Sequence, residues 1–123
     1  TQDPALALVA TGFGYEADRR AAQAELLTKL LPNVRDIRRI GAAALDLCRV
    51  AERTVDAYFE HGINAWDFAA GAIIAREAGA VVRHPGFDKG SADGELTWAA
   101  GADLAPAFEK LLAAHRATDT LRG

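Results

Sequence analysis

Two carboxylates, Glu60 and Asp67, bracket the segment Glu60-His61-Gly62-Ile63-Asn64-Ala65-Trp66-Asp67. The segment leaves a β-branched and aromatic run, Val55-Asp56-Ala57-Tyr58-Phe59, which predicts a strand. It enters Trp66 to Ala78, the strongest helical stretch in the chain, closed by Gly79. Ligands of α/β sheets collect beyond the carboxyl ends of strands, so this pair stands where a small molecule would be met. A plainer account also holds: Asp67 in a first helical turn complements the helix dipole, worth ~0.3–1 kcal/mol, and Glu60 is a solvated rim residue.

The other reactive side chains point to less. Cys48 falls beside Ala44 and Leu47 on the apolar side of a helix and reads as a buried, inert thiol. His61, His84 and His115 lack metal-ligand spacing and read as solvated or capping histidines. Arg35, Arg38 and Arg39 lie on a predicted strand that sends neighbours to opposite faces, so ordinary salt bridges or a subunit contact are expected of them. Gly12-Phe13-Gly14 is too short for a nucleotide loop.

The elements that must position these residues alternate. Ala5 to Ala10 is a continuous apolar run and predicts a strand buried on both faces. Asp18 opens a helix that runs to Leu31, where Pro32 stops it. Val34 to Ile40 alternates as a short strand, and Gly41 leads into a helix over Ala42 to Ala51. After the Trp66 helix, with Ala69, Ala72, Ile73 and Ala80 bracketing a small-residue face, Val81 and Val82 open a strand. His84 to Gly94 is a loop, Leu96 to Ala100 a last strand, and Asp103 caps a closing helix with Leu104, Phe108, Leu111 and Leu112 on one face. The expected fold is α/β: a mainly parallel or mixed sheet of about five strands with helices on both faces.

Composition narrows the function. The 123 residues, half of them apolar and a quarter charged, make one globular domain. A net charge of −3 gives no general pull toward nucleic acid or an anionic membrane. No apolar stretch is long enough to span a bilayer, and one cysteine excludes an internal disulfide framework, which fits a cytoplasmic protein. The opening Thr1-Gln2-Asp3-Pro4, without an initiator Met, reads as cut from a longer chain.

Trp66-Asp67-Phe68-Ala69-Ala70-Gly71, followed by Ile73-Ile74-Ala75-Arg76-Glu77-Ala78-Gly79, resembles the C-terminal signature of the inositol monophosphatase family. Arg39 to Cys48 and Asp56 to Glu60 resemble the family's preceding segments, and Ala10-Thr11-Gly12-Phe13 its bacterial members; the likeness covers about Ala5 to Gly101. The resemblance implies that Asp67 is a catalytic residue, a Mg²⁺ ligand that also lies next to the substrate. It implies that Glu60 accepts hydrogen bonds from substrate hydroxyls, and that Gly41 and Ala43 bring backbone close to the substrate ring. Tyr15 stands roughly where some members have a small polar substrate contact, a departure that bears on polyol specificity.

The family's paired-Glu segment and its Asp-Pro-Ile/Leu-Asp-Gly-Thr loop do not occur in these residues, since Asp3-Pro4 leads only to Ala-Leu. The expectation is therefore the C-terminal domain (1–123) of a Mg²⁺-dependent phosphatase, inactive in isolation, with the N-terminal metal-binding half as partner. Its substrate would be inositol monophosphate or a related small sugar or polyol phosphate; fructose bisphosphate and a nucleotide 3′-phosphate are the alternatives within the class. A homo-oligomer such as a dimer is expected, and neither nucleic acid nor membrane as partner. The rival reading is a non-catalytic α/β module that binds a polyol or a partner protein.

Overall fold

The computed structural model describes residues 1–121. Five strands form one sheet: β1 (Leu8–Thr11), β2 (Asp36–Arg38), β3 (Ala57–His61), β4 (Val81–Arg83) and β5 (Leu96–Ala100), in the order β2-β1-β3-β5-β4. Four helices accompany them: α1 (Ala17–Leu30), α2 (Ala43–Glu52), α3 (Ala65–Glu77) and α4 (Ala105–Ala114).

Connection type sets strand direction. β1 is parallel to both β2 and β3, and the β1-α1-β2 link has the helical crossover that parallel strands need. β4 reaches β5 through residues 84–95 with only a short 3₁₀ turn, Ser91–Asp93, and the two pair antiparallel. β5 also runs antiparallel to β3, so it slots between two strands that α3 joins. The sheet is thus mixed, with the parallel pairs confined to one side.

The helices cover both faces. Leu26 and Leu30 of α1 join Phe108 and Leu112 of α4 against Val9, Phe59 and Trp98. On the opposite face Leu47 and Val50 of α2 and Phe68, Ala72 and Ala75 of α3 pack against Ala10, Tyr58, Val82 and Ala99. No helix among the described residues is long and apolar enough to cross a membrane.

Several sequence expectations shift for local reasons. The apolar run from Ala5 opens as a 3₁₀ turn, Pro4–Leu6, because Asp3 Oδ1 accepts the Ala5 N–H at 3.0 Å; the strand starts only at Leu8. β3 begins later than the β-branched run and extends through Glu60 and His61, which pair with Thr97 and Leu96. Asp18 lies inside the first turn of α1 rather than before it. Asp103 does not cap α4: the carbonyl of Gly101 takes the N–H groups of Leu104 and Ala105 at 3.0 and 2.9 Å, and Pro106 occupies the first turn. The inner face of α3 is Phe68, Gly71, Ala72 and Ala75, leaving Ile73 exposed, and that of α2 is Asp46, Leu47 and Val50, leaving Ala44 outside and Cys48 half-buried. His61 is buried, not solvated; its Nε2–H donates to the carbonyl of Ala117 at 2.6 Å, and burial holds its pKa below the ordinary value.

Candidate functional site

The ends of β1, β3 and the starts of α1, α2 and α3 enclose a cleft of about 570 Å³, lined among others by Gly41, Ala43, Glu60 and Asp67. That volume falls within the roughly 300–1,000 Å³ of small-molecule sites. Gly41, Ala43, Glu60 and Asp67 therefore line one cavity, although they come from two separate stretches of the chain.

Each side chain is held by its element. Asp67 lies in the first turn of α3, where its Oδ2 accepts the Asn64 N–H at 3.1 Å, the reciprocal arm of a helix cap. Asn64 Oδ1 in turn accepts the Ser91 N–H at 2.8 Å, which ties the β4–β5 loop to the site. The dipole-capping account of Asp67 and its position in the cleft hold together. Glu60 sits in β3 and receives the Tyr58 hydroxyl on Oε1 at 2.8 Å. Its carboxyl is pressed close to Gly12, where a Cβ would come within 2.7 Å of Glu60 Cδ. Gly41 has φ +89°, a left-handed turn that brings bare backbone to the wall before α2 begins.

The electrostatics differ from those of a solvated rim. Burial, with the Asp67 charge adding to it, raises the Glu60 pKa above the ordinary carboxylate value, while the Tyr58 hydrogen bond and Arg39 pull it back. Asp46 of α2 is fully buried, and neither carboxylate oxygen has a hydrogen-bond partner among the described residues. Burial first, and Glu60 second, push its pKa up to about 7. The Tyr58 hydroxyl is shifted well upward, chiefly by burial and then by Glu60.

Sequence reasoning missed part of this setting. Tyr58 shares the face of Glu60 because strand neighbours two apart point the same way, a signal available in the pattern. Asp46 lies at helical spacing with Ala43, Leu47 and Val50, so an acid on an inward face could have been noticed. Of the basic cluster, Arg38 pairs with Asp36 at 3.0 Å in solvent, as expected of surface arginines, but Arg39 lines the cleft. Tyr15 stands at the rim, 95 % exposed.

Comparison with known proteins agrees with this architecture. The family model described as "Inositol monophosphatase family" matches residues 2–120. An inositol-1-monophosphatase of Mycobacterium leprae is 61 % identical over 83 residues, covering 68 % of this chain and 28 % of that protein. A Haemophilus influenzae protein named Nus factor SuhB is 46 % identical over 85 residues, 68 % of this chain and 31 % of that protein. The solved structure of Mycobacterium tuberculosis SuhB superposes with a TM-score of 0.85 at 44 % identity, covering 97 % of this chain and 46 % of that one. The chain thus spans under a third of these curated relatives' length and just under half of the solved chain. With the family model matching nearly end to end, over a fold shared with a solved relative, the chain belongs to the inositol monophosphatase family.

Proposed function

We propose that this chain supplies the polyol-binding side of a Mg²⁺-dependent phosphomonoesterase site acting on inositol monophosphate or a related small sugar or polyol phosphate. The convergence of Glu60, Gly41, Ala43 and Asp67 on one cleft carries the reading. Glu60 accepts hydrogen bonds from substrate hydroxyls, and the Tyr58 hydroxyl fixes its carboxylate while leaving acceptor capacity. Gly41 and Ala43 present backbone to the ring face.

Asp67 fits the role of a metal ligand. Its cap bond orients the carboxylate and leaves Oδ1 without a hydrogen bond among the described residues, and carboxylate oxygen is the donor Mg²⁺ prefers. Among the described residues no group of three His, Cys, Asp or Glu is placed to hold a metal ion, so Asp67 serves as one ligand of a site shared with a second half. When bound there, Mg²⁺ would make water a better nucleophile and stabilise charge on the leaving oxygen. Without that half the 123 residues lack a water-activating set and are inactive.

The test joins these residues to an N-terminal half that carries the paired-Glu and Asp-Pro-Ile/Leu-Asp-Gly-Thr segments. Inositol monophosphate should then be hydrolysed with Mg²⁺, and Asp67→Asn should lower kcat by about a hundredfold or more. Glu60→Gln should raise KM by about tenfold with less effect on kcat. Mg²⁺-dependent hydrolysis by the 123 residues alone, surviving Asp67→Asn, would overturn both the shared site and the role of Asp67.

A second reading, a partner-binding module, draws on α3, where Trp66 at the cleft and Ile73 two turns on are 81 % and 62 % exposed. The Nus factor name of the Haemophilus relative also favours it. Apolar groups so placed suit a contact with the second half, another copy of the chain or a different protein. Sedimentation of the chain with and without the N-terminal half separates these partners.

A further inference from the structure

The loop between β4 and β5, residues 84–95, holds the first turn of α3 on both sides of Asp67. Three residues before Asp67, Asn64 Oδ1 accepts the Ser91 N–H at 2.8 Å. One residue after it, Phe68 is fully buried in the core, and the Phe87 ring stacks on it at 5.9 Å between centroids and 19° between planes. His84 completes the stack, 4.7 Å from Phe68 and 5.4 Å from Phe87.

Neither hold is explained by core burial. Phe87 stays 67 % exposed, so its ring hides little apolar surface from water, and what its stack on Phe68 achieves is to fasten the loop. At the other hold a Cβ on Gly90 would stand 3.2 Å from Asn64 Oδ1, and one on Gly62 2.9 Å from the Ser91 carbonyl oxygen. Bare backbone on both sides thus lets the turn Ser91–Asp93 seat against Asn64, and Asp93 Oδ2 keeps that turn in shape by accepting the Gly90 N–H at 2.8 Å. Asn64 is the link between loop and site: the loop holds its side chain, while its own N–H donates to Asp67 Oδ2 at 3.1 Å. First helical turns fray when nothing outside the helix fixes them, and a carboxylate carried by such a turn would swing with it.

We propose that loop 84–95 is a clamp that orients the Asp67 carboxylate, with the Phe87 ring and the Ser91 amide as its positioning groups. The inference rests on the reading of Asp67 as a Mg²⁺ ligand and adds what prepares it: Oδ1 is presented at a fixed angle, so metal binding need not order the turn. Releasing the loop loosens Asp67 and leaves the Glu60 side of the cleft intact.

Two substitutions release the loop independently. Phe87→Ala removes the stack. Ser91→Pro removes the N–H donor at the first residue of a 3₁₀ turn, where proline is tolerated, and Gly90 before it is already extended, φ −131° and ψ −173°. In the 123-residue chain, hydrogen exchange of the Asn64 N–H reads its bond to Asp67 directly. Either substitution should quicken that exchange about tenfold while the Phe108 N–H of α4 stays as it was, and Phe87→Tyr, which keeps the ring, should leave Asn64 unchanged. Joined to the N-terminal half, the same two variants should raise the Mg²⁺ concentration for half-maximal hydrolysis by about tenfold with little change in KM for inositol monophosphate. Unchanged Asn64 exchange in both variants, or equal acceleration at Phe108, would overturn the clamp. Failure of the underlying reading looks different: Asn64 exchange quickens but the Mg²⁺ requirement does not move, which leaves the clamp standing and takes the metal away from Asp67.

Discussion

Along β3 the side chains divide by parity. Ala57, Phe59 and His61 turn toward α1 and α4, while Tyr58 and Glu60 turn toward α2 and α3. On the first side the packing is interlocked rings: Phe108 meets Phe59 at 6.5 Å between centroids, tilted, and Trp98 at 5.9 Å, edge-on, with Leu104 and Leu112 filling around them. On the second side Leu47, Phe68 and Val82 also form a core, but among the described residues Asp46 is buried in it without a hydrogen bond, and Thr97, opposite Glu60 in the register, has an unpartnered hydroxyl. Among the described residues, buried polar atoms without partners occur on both sides of the sheet, His61 Nδ1 on the first and Asp46 and Thr97 on the second, but only the second side buries an unpaired carboxylate next to the cleft. Conflicts of that kind gather at functional sites.

The largest effect should come from the hydrocarbon face. Phe108→Ala removes a ring from the middle of the Phe59–Trp98 cluster and leaves a cavity, costing about 3–5 kcal/mol by urea denaturation. A loss under about 1 kcal/mol would mean that the α1–α4 face is not the main source of stability, and the contrast between the faces would fall.

The polar face should reveal itself through pH. Asp46 has a pKa of about 7 in the folded chain against 3.8 as the ordinary value, so the folded state binds the proton more tightly than the unfolded state does. Its protonated form therefore favours folding, fully so below about pH 4, and that contribution is lost as the pH rises through about 7. The loss amounts to at most about 4 kcal/mol. Asp46→Asn keeps the shape without the titration. Urea midpoints measured at pH 5 and pH 8 should fall for the natural chain and change much less for the variant. Equal slopes in the two proteins would mean that Asp46 is already ionised in the fold.

The same contrast explains what could be read in advance. Helix and strand order followed from apolar periodicity and from breakers such as Pro32 and Gly79, because hydrocarbon packing leaves a repeating trace. Leu96 to Ala100 is a strand at the bounds its pattern predicted. Edges were less legible wherever a side chain or a turn redirected the backbone: the Asp3 cap took the first residues of a strand-like run, and pairing with β5 drew Glu60 and His61 into β3. The residues of the cleft were visible as linked motifs, but their surroundings were not. Nothing local in Asp18-Arg19-Arg20 tells that the middle residue passes between Gly14 and Gly62, since that depends on loops separated by nearly fifty residues of chain.

The smallest effect sharpens the comparison at one atom. Tyr58 is fully buried, and its hydroxyl reaches Glu60 Oε1 at 2.8 Å from two residues earlier on the same strand face. Tyr58→Phe preserves the ring among Ala10, Leu47 and Phe68, so the packing of this face is unchanged and the stability loss should be about 1 kcal/mol, the net value of one hydrogen bond. Glu60 should respond more visibly than the fold. The Tyr58 bond opposes the burial that raises its pKa, so removing the donor should move the Glu60 titration further upward, measurable by carboxyl ¹³C NMR. A stability loss without movement of Glu60 would make Tyr58 a packing residue that happens to carry a hydroxyl. Movement of Glu60 with little loss of stability identifies the hydroxyl as a device of the cleft, set on a strand whose opposite parity is devoted to holding the sheet together.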